Sequence, residues 1–122
     1  MKNSKMPEGF HTVTPYYIVP DLSAFLDFLG KAFGAETTLH EPGKHAEARI
    51  GDSMIMAGQE KQQWKAAPAS TYLYVDDCDA WYRRALDAGA TSQMEPADHD
   101  YGDRNGGVID RWGNTWWIAT RL

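Results

Sequence analysis

Tyr16-Tyr17-Ile18-Val19-Pro20-Asp21-Leu22-Ser23-Ala24 returns later in the chain, without a gap, as Tyr72-Leu73-Tyr74-Val75-Asp76-Asp77-Cys78-Asp79-Ala80. Each copy reads as a short apolar run, an acidic turn and a helix start. A second echo sets Ile50-Gly51-Asp52-Ser53-Met54-Ile55-Met56 against Trp112-Gly113-Asn114-Thr115-Trp116-Trp117-Ile118. Such a duplication predicts two similar supersecondary units that bury their apolar faces on each other, with function where they meet.

The elements follow outward from the repeat. Residues 12–19 are β-branched and aromatic, a strand pattern, and Pro15 belongs at a sheet edge or bulge because it cannot donate to a ladder. Asp21 or Ser23 caps the next helix, where Phe25, Leu29, Ala32 and Phe33 recur at helical spacing beside Leu26 and Phe28. Gly34 ends it. Strands are expected at 37–40, 46–50 and 53–57, with turns at 41–44 and 51–52. In the second half a strand at 71–75 leads to a helix capped by Asp77 or Asp79. That helix buries Trp81, Ala85 and Ala88, with Tyr82 and Leu86 adjacent, and stops at Gly89. Strands are expected near 91–94, 106–110 and 115–120, whereas acidic, turn-rich 95–105 reads as an irregular loop of the kind that often covers sites. Residues 1–9 read as a loose arm. The organisation is therefore one domain, 1–122, of two βαβββ modules at about 10–58 and 69–120, joined by a linker at 59–68.

At 122 residues the chain is long enough to bury a core without disulfides or metal, and its one cysteine, Cys78, rules out an internal disulfide. There is no apolar run of membrane-span length and no signal-peptide pattern in residues 1–10. The expectation is a cytoplasmic protein without a membrane partner. With 17 Asp and Glu against 12 Lys and Arg, net charge -5, the chain lacks the clustered cations that nucleic-acid binding requires. Lys61, Lys65, Arg83 and Arg84 read as solvated faces. Five Trp and six Tyr exceed the needs of a core this size, so some rings should line a pocket or interface.

The duplicated βαβββ pattern, its strand-to-helix turns and the closing Asp110-Arg111-Trp112-Gly113-Asn114-Thr115-Trp116-Trp117-Ile118-Ala119-Thr120 resemble the vicinal oxygen chelate superfamily. This superfamily includes glyoxalase I, fosfomycin- and bleomycin-resistance proteins and extradiol dioxygenases. With Pro7-Glu8-Gly9-Phe10-His11-Thr12-Val13-Thr14-Pro15-Tyr16 and Tyr101-Gly102-Asp103-Arg104, the chain looks most like the branch often labelled PhnB-like. The resemblance implies an α+β fold: two βαβββ modules forming a curved mixed sheet around a ligand cleft, helices on the outer face, usually in a homodimer. It implies a fold more than a chemistry.

Metal-using members of that superfamily place His, Gln or Glu on the first strand of each module and Glu on the last. The matching positions here are Thr14, Ser70, Trp117 and, less directly, Ile55, none of which suits a divalent transition metal. No metal or other cofactor is expected. His45 and Glu47 share a strand face and would supply half a site, but surface strands alternate this way without chemistry. His11, His40 and His99 read as exposed or hydrogen-bonded histidines, Cys78 as structural, and the Asp76-Asp77 pair as turn and cap. If Thr14 and Ser70 face the cleft, alternation adds Tyr16, Ile18, Tyr72 and Tyr74, while Tyr17, Val19, Leu73 and Val75 pack under the helices. Trp117 joins this aromatic wall. Arg104 either anchors an anionic group or pairs with Asp100 or Asp103. The ligand-binding set is thus Thr14, Tyr16, Ser70, Tyr72, Tyr74, Trp117 and Arg104, with no catalytic residue assigned. Trp64 and Trp112 are candidates for a partner surface. The expected function is metal-independent binding of an aromatic or amphipathic small molecule; the alternative is a lyase, isomerase or dioxygenase acting on a small oxygenated substrate.

Overall fold

The computed structural model describes residues 5–40 and 43–122, which divide into two compact units: 5–30 with 34–40 and 43–67, and Lys31–Phe33 with Pro68–Leu122. In the first unit β1 (Tyr16–Val19), α1 (Leu22–Phe33, all but its last three residues), β2 (Glu36–His40), β3 (His45–Ile50) and β4 (Ser53–Gln59) follow in order. In the second, β5 (Ser70–Tyr74), α2 (Cys78–Asp87), β6 (Thr91–Asp98), β7 (Asp103–Ile109) and β8 (Thr115–Arg121) repeat it. Each unit forms its own four-stranded mixed sheet, ordered β1-β4-β3-β2 and β5-β8-β7-β6. In both, the first strand runs parallel to the last and the remaining pairs are antiparallel.

The repeated strand-to-helix turn does the same physical work twice. Asp21 Oδ1 accepts from the Ala24 amide and Asp77 Oδ1 from the Ala80 amide, both at 3.1 Å, satisfying an otherwise orphaned donor in each first turn. Asp21 rather than Ser23, and Asp77 rather than Asp79, is therefore the cap. Gly34 closes α1 in the left-handed conformation, at φ 65°.

Alternation sorts β1 as expected, with Tyr17 and Val19 buried and Tyr16 exposed. Tyr17 lies 5.7 Å from the ring of Phe25, which with Leu29 is fully buried, and Ala46, Ala48, Ile50, Ile55 and Ala57 fill the same face of β3 and β4. In the second unit Val108, Trp116, Ile118 and Ala119 are inaccessible to solvent. The small buried side chains Cys78 and Ala85 let α2 lie close on β7. Tyr82, not Trp81, turns inward beside them, its hydroxyl donating to Ser92 Oγ at 2.6 Å; Trp81 and Ala88 are half-buried.

Several expected boundaries move. The strand read at 12–19 begins only at Tyr16, because residues 11–14 turn on themselves through a 3.2 Å bond from Thr14 Oγ1 to the His11 carbonyl. Pro15, without an amide proton, still accepts from the Met56 amide at 2.9 Å. The segment 95–105 is not an irregular loop: β6 runs to Asp98, β7 starts at Asp103, and only 99–102 turns. Acidic and turn-forming residues are tolerated here because β6 is an edge strand, where Pro96 needs no donor and the register shifts around it. The turn expected at 41–44 falls partly on residues 41–42, and the arm at 1–9 partly on 1–4, outside the described residues.

The second echo needs a correction of one residue. In the parallel pairs Tyr16 sits opposite Met56 and Tyr72 opposite Trp117, so Met56, not Ile55, is the counterpart of Trp117. Ile55 is 5% exposed on the core face. The difference lies in the parallel registers of β1 on β4 and β5 on β8, and the hairpins before those last strands differ as well. Ile50 pairs with Ser53 across Gly51-Asp52, whereas Ile109 pairs with Thr115 across five residues, 110–114. A one-residue offset sends every side chain to the opposite face.

Candidate functional site

On the open face of the first unit, Tyr16, Ile18, Lys44, His45, Gly58, Gln59, Lys61 and Trp64 line a groove of about 360 Å³. Its floor depends on Gly58. A Cβ built there would stand 2.6 Å from the Tyr16 hydroxyl oxygen, so only glycine lets the phenol lie down across β4. The Tyr16 hydroxyl lies 3.3 Å from His45 Nδ1, and the His45 ring stacks on that of His40 at 5.7 Å. His40 Nε2 in turn donates to Glu47 Oε2 at 3.2 Å. His45 and Glu47 thus share a strand face, as expected, but Glu47 is engaged by His40.

The wall formed by residues 60–66 is held from within. The Lys61 amide donates to the Trp64 carbonyl at 3.0 Å and the Trp64 amide to the Lys61 carbonyl at 3.1 Å, closing a tight turn whose two ends both line the groove. Glu60 Oε1 accepts from the Ala66 amide at 3.0 Å. At the neighbouring end of β4, Gln59 Oε1 accepts from the Leu22 amide and Gln59 Nε2 donates to the Pro20 carbonyl. Trp64 is 59% exposed and Tyr16 53%, so two large rings face solvent over a braced backbone.

The open face of the second unit is chemically different. Asp103 is 2% exposed; its Oδ2 accepts from the Tyr72 hydroxyl at 2.6 Å and the Tyr74 hydroxyl at 2.9 Å, and its Oδ1 from Arg121 at 3.0 Å. The Tyr72 bond holds this carboxyl below the ordinary carboxylate range against the opposing effect of burial, with help from Arg121 and Tyr74. Tyr72 is pushed up to about 12 by burial and by its bond to Asp103, while Asn105 pulls the other way. Tyr74 is raised chiefly by its Asp103 bond. Asn105, also 2% exposed, donates to the hydroxyls of Tyr72 and Tyr101, and its Oδ1 has no partner. Beyond this network Trp117 lies over Gly107, where an added Cβ would meet the indole at 2.6 Å, and its Nε1 donates to Ser70 Oγ at 3.2 Å.

Of the residues expected to bind ligand, Ser70, Tyr72, Tyr74 and Trp117 therefore share one face of the second unit, and Tyr16 lines the groove of the first. Thr14 is not part of that lining. Arg104 pairs with neither Asp100 nor Asp103. Its guanidinium makes two bonds to Asp79, at 2.8 and 3.0 Å, and one to Asp98 at 3.2 Å, which depress the Asp79 carboxyl. Cys78 is buried at the start of α2, its amide donating to Thr120 Oγ1. His99 stacks on Tyr101 at 5.1 Å, and Arg111 lies over the Trp112 ring.

The donor chemistry at the family's metal positions does not suit a metal. Thr14 Oγ1 is committed to the His11 carbonyl, Ser70 Oγ to the Trp117 indole, and Met56 and Trp117 occupy the last-strand positions. Among the described residues no three His, Cys, Asp or Glu side chains gather in a way that could hold an ion.

The sequence alone singles out neither Asn105 nor Lys44, gives Asp103 only as a candidate partner of Arg104, and reads Lys61 as part of a solvated face. Asp103 and Asn105 lie two apart on β7, a spacing that shares a face, and extending that strand to residue 103 would have exposed the pattern. Nothing local marks Lys44 and Lys61 as neighbours; the approach of Lys44, beside β3, to the loop after β4 joins them.

A model of the Glyoxalase/Bleomycin resistance protein/Dioxygenase superfamily matches residues 9–118. An uncharacterized protein of Mycobacterium bovis is 32% identical over 120 residues, covering 85% of this chain and 79% of that protein. The crystal structure of TioX from Micromonospora sp. ML1 is similar with a TM-score of 0.77 at 23% identity, over 92% of this chain and 99% of that one. The fosfomycin resistance protein FosX from Mesorhizobium loti has a TM-score of 0.69 at 18% identity, over 96% and 95%. At these identities the structures speak for the fold alone.

Proposed function

Because the chain belongs to the Glyoxalase/Bleomycin resistance protein/Dioxygenase superfamily, we propose that it is a member that binds, and sequesters or carries, an aromatic or amphipathic small molecule without a resident metal. The observation that carries this reading is the groove of the first unit. It is of the size that small ligands occupy, and it presents the rings of Tyr16 and Trp64 over a backbone already locked in place. The unsuitable donors at the family's metal positions support the metal-free part. A role in antibiotic resistance is one form of sequestration, and FosX, a fosfomycin resistance protein, has a similar fold. The proposal extends to a cytoplasmic homodimer without nucleic-acid or membrane partners; among the described residues no helix is long and apolar enough to cross a membrane.

The test is a thermal-shift titration of metal-stripped protein, first with Zn, Ni, Mn and Fe(II), then with aromatic antibiotics and metabolites. A ligand of the native state raises the midpoint in proportion to the logarithm of its concentration above Kd. A saturable shift with an aromatic compound, lost in Trp64→Ala, is the expected result. A saturable shift with one metal, abolished by His45→Ala or Glu47→Ala, overturns it.

One observation favours an enzyme instead. His45 stands in the groove within hydrogen-bonding reach of the Tyr16 hydroxyl, a pairing able to move a proton to or from a bound oxygenated substrate. Turnover that disappears in both His45→Gln and Tyr16→Phe, with the fold retained, would establish that reading.

A further inference from the structure

We infer that the ligand of the first-unit groove is an aromatic anion, a flat ring bearing a carboxylate or a group of like charge; this rests on the groove being the binding site. The chain is acidic, with 17 Asp and Glu against 12 Lys and Arg, yet the groove lining inverts that balance. Lys44, Lys61 and His45 contribute to it and no Asp or Glu does. Neither lysine takes part in an ion pair among the described residues.

Among the described residues, the two carboxylates nearest the lining in sequence already hold other partners: Glu47 accepts from His40 Nε2, and Glu60 accepts from the Ala66 amide. Isolated surface lysines would signify nothing, since their charge is screened and their stems are mobile. Here two lysines line one concavity, and positive side chains sharing a walled groove raise the local potential above that of a flat surface.

The backbone carrying Lys61 is also braced. The reciprocal backbone bonds between Lys61 and Trp64 hold a residue bearing a cation and one bearing an indole on the same wall of the groove, so a ring seated against Trp64 shares that wall with a lysine able to meet an acidic substituent. On the opposite side Tyr16, laid flat by Gly58, offers a second ring face and a hydroxyl. The volume of about 360 Å³ admits a one- or two-ring compound.

The experiment compares naphthoate with its neutral isostere naphthamide by calorimetric titration, on the wild-type chain, the Lys44→Gln/Lys61→Gln variant and Trp64→Ala. Naphthoate is expected to bind at least about tenfold more tightly than naphthamide, with affinity falling as salt rises. In the double glutamine variant the two probes should bind alike, at an unchanged melting temperature, and Trp64→Ala should weaken both. Equal affinity of the wild-type chain for both probes overturns the anion preference and leaves the groove standing. If neither probe binds, or if Trp64→Ala binds both as the wild-type chain does, the groove reading fails as well.

Discussion

The two units share a frame and differ in what their open faces do with polar groups. Both run strand, capped helix and three strands, with Asp21 and Asp77 making the same 3.1 Å cap. In the second unit Tyr72, Tyr74, Asn105 and Arg121 converge on or around one buried carboxylate, Asp103. In the first, Lys44, Lys61, Trp64 and Tyr16 border open space. A duplicated backbone thus carries one face whose polar groups gather on a buried carboxylate and one whose lysines and rings line an open groove. Fold and function diverge at side chains that the frame does not constrain.

The most forceful way to break the comparison is to empty each core. Trp116→Ala, at a site inaccessible to solvent whose indole donates to Asp110, and Phe25→Ala, equally buried, should each cost about 3–5 kcal/mol in denaturant unfolding. If one costs much less, that unit's core is not packed as described.

The second unit's network makes a prediction about pH. Tyr72 is raised from the ordinary phenol value of 10.0 to about 12, so its contribution to stability is complete below pH 10 and is lost as pH climbs through 12. Asp103 works in the opposite direction: held below the ordinary carboxylate value, it contributes above that value and loses its contribution as acid protonates it. Titration of phenolate absorbance should show a late-ionising tyrosine that disappears in Tyr72→Phe and moves toward 10 in Asp103→Asn. A curve unaffected by either substitution would remove the network from the account.

The smallest effect tests the shared frame. Asp21→Ala and Asp77→Ala should each cost about 1 kcal/mol, and by similar amounts, because each removes one side-chain acceptor from a helix N-terminus. A large inequality would mean that the repeated turn is alike in sequence only.

What was legible in the sequence follows from the range of the interactions. The cap regions, narrowed to Asp21 or Ser23 and to Asp77 or Asp79, the helix stop at Gly34 and the inside-outside alternation of β1 depend on neighbours a few residues apart and are legible in the sequence. The one-residue offset between Met56 and Trp117 is not, because it depends on ladder partners. Arg104 shows the same limit. Its partners Asp79 and Asp98 come from α2 and β6, while Asp103, beside it in sequence, is taken by Tyr72, Tyr74 and Arg121. Aromatic candidates on alternating positions were found, whereas the lysines of the groove, drawn together by β3, β4 and the following loop, were not.

The most direct test of the contrast between the faces is to map backbone amide and indole NMR shifts during a naphthoate titration. The account predicts saturable shifts at Tyr16, Ile18, His45, Gly58 and Trp64, with Tyr72, Tyr74, Asp103 and Trp117 unmoved. Shifts centred on Trp117, Tyr72 and Asp103, with Trp64 silent, would contradict it and assign binding to the second unit.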